Sequence, residues 1–249
     1  MSPEFWASTG LLAFLALVMV LSGFVKGVIG LGFAAVGVGM LGLVMPPSYA
    51  AALLVVPATV TNVWQLWAGP DFRGLLRRLW PMLVCIVIGG WLASGSLAGS
   101  HPGSGRFYLG AVLAIYAVLG LAGRRPAVSA RTEIWLGPVV GVMTGIVTAM
   151  TGVFMIPVVP YLGGLGLGRE DMIQALGLSF TVATASLAVD LAGAGVFDRH
   201  LLLMSVVALV PTAIGMQAGE YLRSRISPVL FRRCFFSGML VLGLALARH

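Results

Sequence analysis

Long uncharged apolar runs alternate with short polar breaks along the whole chain. Phe5–Val25, Leu79–Ala98 and Leu201–Gly219 each hold about one bilayer crossing, which takes roughly 20 helical residues. Gly27–Pro70 and Ile134–Gly168 stay uncharged for longer than one crossing needs. The breaks divide the chain into ten segments: 10–27, 32–45, 48–68, 76–98 and 105–123, then 133–150, 152–164, 172–194, 201–222 and 229–247. This pattern predicts an all-α polytopic helical membrane protein. A β-barrel would show short alternating segments instead.

The two sets of five resemble each other. "SGFVKGVIGLGF" (Ser22–Phe33) matches "VGVMTGIVTAMTGVF" (Val140–Phe154), and "DFRGLLRRLWPMLVCIVIGG" (Asp71–Gly90) matches "FDRHLLLMSVVALVPTAIG" (Phe197–Gly215). Phe107–Gly120 matches Phe235–Ala247. The chain therefore reads as a single transmembrane domain over 1–249, duplicated as repeat 1 at about 7–123 and repeat 2 at about 133–249. The second segment of each set is short. At 1.5 Å per helical residue, 32–45 and 152–164 reach about 20 Å, against a hydrocarbon core of roughly 30 Å. Each is a short crossing helix or a re-entrant piece.

Composition agrees, with 59% hydrophobic and only 9% charged residues, where a soluble domain has about a quarter charged. The net charge of +7 points to cytoplasmic loops rather than nucleic acid. Only Glu4 is charged before Lys26, so the first span lacks a secretory signal's basic start and is expected to be retained. If all ten segments cross with the N-terminus outside, one face collects Arg73, Arg77, Arg78, Arg124, Arg125, Arg131, Arg169, Arg223, Arg225, Arg232 and Arg233, and the other Arg106, Arg199 and Arg248. If the short segments do not cross, the arginines divide almost evenly. The positive-inside rule favours ten crossings, which makes the five-segment repeats inverted, a recurrent transporter design with broken helices. Trp67, Trp80 and Trp135 flank loops, where aromatic rings favour the interface. Glu220 and Arg223 read as a solvated surface pair.

Candidate chemistry gathers at two glycine-rich breaks. Gly27, Gly30 and Gly32 interrupt the first half, and "TAMTG" (Thr148–Gly152) interrupts the second. Gly23/Gly27 and Gly141/Gly145 also have the four-residue spacing that lets helices pack closely. A helix N-terminus presents free N–H groups and partial positive charge, so two broken helices meeting at the repeat interface would attract an anion. Thr148 and Thr151 would add hydroxyl donors. Lys26, the only lysine, either faces that cavity or snorkels to the inner interface. Thr59, Asn62 and Gln65 form a polar stripe on the third segment. Ser179, Ser186 and Asp190 share a face of the eighth, with Thr181 and Thr184 nearby. Asp190 is either a residue of the outer helix end or a proton-binding coupling carboxylate. The candidate substrate-binding set is Lys26, Gly27, Gly30, Gly32, Asn62, Thr148, Thr151, Gly152, Ser179, Thr181 and Ser186, with Asp190 as coupling candidate and no metal site.

On its size, duplication and the paired breaks "GVIGLGF" and "TAMTGVFMIP", the chain resembles the sulfite exporter TauE/SafE family of membrane transporters. The family pattern is a glycine cluster followed closely by proline. Here Leu31 interrupts the first cluster and no proline follows until Pro46, while the second keeps Gly152 and Pro157. The resemblance implies small-anion transport, of sulfite or organosulfonates, in a multi-pass bacterial inner-membrane setting. No nucleotide motif is visible and no cofactor is expected, so a proton or the substrate gradient would drive transport. Partners are the small anion, the lipid bilayer and protons, with no nucleic acid. The rival readings are a carboxylate transporter, a passive channel, and an assembly factor. An enzyme is disfavoured because His101, His200 and His249 fall in loops or at the terminus, Cys85 and Cys234 are single thiols, and no HExxH exists.

Overall fold

The computed structural model describes residues 9–99, 102–123, 127–225 and 227–248. Glu4, His101, Arg124, Arg125 and His249 lie outside them. The described chain is helical throughout: α1 Thr9–Ile29, α2 Phe33–Leu41, α3 Pro47–Trp67, α4 Phe72–Leu92, α5 Ser96–Gly99 and α6 Pro102–Ala122, followed by α7 Ala130–Thr151, α8 Val158–Gly164, α9 Arg169–Gly193, α10 Arg199–Val207, α11 Leu209–Leu222 and α12 Pro228–Ala247. Eight spans are long and apolar enough to cross a membrane, with α10 and α11 together forming one of them, so this is a multi-pass integral membrane protein. α10 and α11 divide at Ala208, where Pro211 has no N–H to give the carbonyl of Val207. Asp71, Ser129 and Asp198 start their helices by accepting from the N–H of Gly74, Thr132 and Leu201.

Close glycine contacts fix the direction of each helix. A Cβ on Gly23 would sit 2.3 Å from the carbonyl of Thr212, and one on Gly27 2.2 Å from that of Met216, so α1 and α11 run in the same direction. α4 and α7 do likewise, with Gly141 against Met82 and Gly145 against Ile86. α6 and α12 are antiparallel, with Gly110 facing Gly243 and Gly120 facing Phe236. α3 and α9 are antiparallel too, because Gln174 near the start of α9 donates to the carbonyls of Leu66 and Gly69 at the end of α3, at 2.8 and 3.0 Å.

These contacts also settle the two short segments. α1 ends beside the end of α3, where the carbonyl of Gly30 accepts from Gln65 at 2.7 Å. Since α3 begins at Pro47, residues 30–46 must run back along the bundle. In the second half Gly152 lies against Ala51, near the start of α3. The chain then returns until the carbonyl of Gly164 meets the N–H of Val128 at 2.8 Å, at the opposite end. Both segments therefore pass from end to end, although α2 and α8 alone, at 9 and 7 residues, are about 14 and 10 Å long. Non-helical backbone on either side of α2 and α8 makes up the difference. It is shielded by protein, as membrane depth demands: Val153, Phe154 and Met155 are all buried.

Arg73, Arg77, Arg78, Arg131, Arg169, Arg223, Arg225, Arg232 and Arg233 gather at one end of the bundle, called here the arginine-rich end. Arg106, Arg199 and Arg248 lie at the other. At the arginine-rich end Arg78 grips Glu133 with two hydrogen bonds, 2.6 and 2.8 Å, tying α4 to α7. Trp67, Trp80 and Trp135 are exposed there.

Candidate functional site

Lys26 lies in the last turn of α1 and is 3% exposed. It does not snorkel. Its Nζ donates to Thr61 Oγ1 at 2.9 Å and to Asn62 Oδ1, and sits 6.0 Å from the centre of the Phe33 ring. Among the described residues no carboxylate lies within ion-pair distance of it. Asn62 passes the contact on: its Nδ2 donates to Thr184 Oγ1 at 3.2 Å, linking α3 to α9. Lys26, Asn62 and Thr184 thus form a buried polar chain through the bundle, in which Lys26 is the only ionisable group.

A cavity of about 270 Å³ opens beside Lys26 at the arginine-rich end. Gly27, Gly30, Trp64, Gln65 and Met216 line it, and Glu170, Glu220 and Arg223 stand around its mouth. Burial and the neighbouring Arg169 hold the Arg223 guanidinium below its ordinary pKa, with Glu220 pulling the other way. Two guanidiniums therefore share this rim.

A second, tighter cavity lies toward the other end. Thr148, Ala149, Ala183, Ser186 and Asp190 line it, and it is too small to admit a water molecule. Asp190 Oδ1 accepts from Ser94 Oγ at 2.5 Å and from the N–H of Gly95 at 2.7 Å. The coupling candidate thus sits at a helix end, anchoring the turn after α4.

The predicted site residues divide accordingly. Lys26, Gly27 and Gly30 line the open cavity, with Asn62 bonded behind Lys26. Thr148, Ser186 and Asp190 line the closed one. Gly32, Thr151, Gly152, Ser179 and Thr181 line neither. Gly32 faces Val25 and Phe235, and Gly27 also serves the α1–α11 contact. The two breaks do not meet: Gly30 lies by Gln65 and Gly152 by Ala51, which helix rise along α3 separates by about 20 Å. The hydroxyls of Thr148, Thr151, Ser179 and Thr181 donate to carbonyls four residues back, at 2.7–2.8 Å. Their protons are already used within their own helices. Two buried hydroxyls do lack partners among the described residues, Ser22 Oγ and Thr144 Oγ1.

Thr61, Gln65, Thr184, Met216 and Arg223 belong to this region without having been singled out as binding residues. The spacing of Asn62 and Gln65 carried a signal, and both turn inward. Thr59, on the same stripe, bonds the carbonyl of Val55 at 2.8 Å. Met216 and Arg223 arrive only through the packing of α11 on α1. Among the described residues no cluster of His, Cys, Asp and Glu is placed to hold a metal.

The chain matches the model of the family described as "Sulfite exporter TauE/SafE" over residues 15–246. No curated protein and no solved structure matches it.

Proposed function

Because the chain belongs to the sulfite exporter TauE/SafE family, we propose that it is a secondary transporter of a small anion, sulfite or an organosulfonate, working by alternating access between two inverted repeats. The observation that carries this reading is Lys26. A lysine at bilayer depth costs roughly 3 kcal/mol or more, and here it has only neutral partners and a cavity beside it. An anion entering that cavity supplies the missing countercharge. It would be held by Lys26 with Asn62 and Thr61 behind it, at a mouth where Glu170 and Glu220 offset Arg169 and Arg223 and leave Lys26 as the excess positive charge. Glycine at 27 and 30 keeps side chains out of the passage. Thr148 and Ser186 would meet the anion later, on the other side of the Asn62–Thr184 contact. Gly32, Thr151 and Gly152 shape the breaks, and Ser179 and Thr181 brace α9.

The arginine bias supports a cytoplasmic open cavity, and membership of the family supports a bacterial inner-membrane setting. A passive channel fits less well, because a continuous pore would have room at both ends. Protons, with Asp190 as the candidate carrier, or the substrate gradient would drive transport.

The test is flux in proteoliposomes, with sulfite, thiosulfate, taurine, sulfoacetate, acetate and lactate offered in turn. Saturable uptake of a sulfur anion, lost in Lys26→Met, is expected. Saturable uptake of carboxylates alone would overturn the substrate, and unsaturable flux would overturn alternating access.

A further inference from the structure

We infer that the closed cavity around Thr148, Ser186 and Asp190 is the second mouth of the translocation path, latched shut by the hydrogen bonds of Asp190 to Ser94 and Gly95. The inference rests on the transporter reading.

The first argument is positional. Lys26, Gly27, Trp64, Gln65 and Ala68 all line the open cavity. Moved along the chain by 122 residues, the separation of the hydrogen-bonded pair Asn62 and Thr184, they become Thr148, Ala149, Ser186, Leu187 and Asp190. All five line the closed cavity. Two surfaces built from equivalent positions, one at each end, are what a path with two mouths requires.

The second argument is the difference between them. At the open mouth the Met216–Glu220 stretch of α11 stands off α3 by the width of the cavity. At the closed one α4 lies hard against α9: a Cβ on Gly90 would sit 2.4 Å from Ser186 Oγ. Asp190 fastens this contact. Its Oδ1 takes both the Ser94 hydroxyl and the Gly95 N–H, so one carboxylate holds the whole turn that ends α4. Ala68, at the equivalent place in the open mouth, has no side chain that can make such bonds. The Thr144 hydroxyl, buried and unpartnered, lies one turn inward of Thr148, and Ser22 occupies the same place inward of Lys26. Each lies one turn deeper than its cavity, with a hydroxyl still able to bond.

The experiment is cysteine accessibility in a Cys85→Ala, Cys234→Ala background, with a membrane-impermeant methanethiosulfonate reagent applied to vesicles of either orientation. Ser186→Cys is expected to react slowly. Adding Asp190→Ala should speed it at least tenfold, from the face opposite the arginine-rich end. Trp64→Cys should react from the arginine-rich face in both backgrounds, which also reports that Asp190→Ala has folded. Ser94→Ala, which removes one of the two bonds, should give a smaller acceleration of the same sign. If Ser186→Cys stays equally unreactive, or equally reactive, with and without Asp190, the latch is overturned. Labelling needs no substrate. Failed sulfite flux with accelerated labelling would therefore overturn the proposed substrate alone, and normal flux with unchanged labelling would overturn the latch alone.

Discussion

Around Lys26 and around Thr148 the chain makes the same backbone turn and fills it with different chemistry. Gly30 and Gly152 both end their helices with positive φ, 79° and 73°, a conformation that favours glycine. Each N–H reaches back to the equivalent carbonyl, of Lys26 at 2.7 Å and of Thr148 at 2.8 Å. Beside the first turn stand Asn62 and Gln65. Beside the second, at the same shift from Gln65, stands Leu187. One turn holds an uncompensated cation next to an open cavity, and the other holds hydroxyls bonded to their own helix next to a closed one. A shared frame thus fixes where the helices break, while side chains decide which end carries the charge.

The comparison is broken most directly at its two centres. Lys26→Met should weaken sulfite binding at least tenfold, since hydrogen bonds to a charged group are worth about 1.5–3 kcal/mol and 1.4 kcal/mol is a factor of ten. Thr148→Val should change it less than about threefold, because the Thr148 proton is already given to Thr144. Isothermal titration in detergent measures both. Equal losses would mean that the anion does not depend on the charge.

An effect of similar or smaller size, on stability rather than on binding, is expected where α3 meets α9. Asn62→Leu leaves Lys26 with Thr61 alone and should cost about 1–3 kcal/mol of stability. Thr184→Val removes one neutral acceptor and should cost about 1 kcal/mol. Thermal denaturation checks the order. A costlier Thr184→Val would place the keystone of the contact on α9 rather than on the lysine side.

The least effect should come from Gly90→Ala, whose N–H faces Gly145 as that of Met216 faces Gly23. Its methyl would meet the Ser186 hydroxyl, the end of a small side chain that can rotate, so the loss should stay within about 0.5 kcal/mol. A loss several times larger, read from the same denaturation curves, would mean that the closed mouth cannot yield at that point.

Much of this was legible beforehand, for reasons that lie in single residues. The spans showed because lipid admits only apolar helices there, and the breaks showed because glycine clusters at 27–32 and at 152 leave a visible gap in the pattern. The inward turn of Asn62 and Gln65 followed from their spacing. The burial of Lys26 did not. A lysine one turn from a helix end looks the same in sequence whether it reaches water or folds back onto Thr61 and Asn62. The hydroxyls misled for a related reason: threonine in a span signals polarity without saying whether its proton is spent on its own helix.

The sequence alone determined the all-helical membrane fold and the two breaks, because each is written in local composition that lipid and backbone geometry enforce residue by residue. Only the tertiary structure decided that the short segments run end to end, that the breaks lie at opposite ends, and that Lys26 borders a roomy cavity while Asp190 binds the turn after α4 beside a tight one. Those facts depend on which surfaces meet across more than a hundred residues of chain, and packing between distant helices leaves no periodic mark in the sequence of either one.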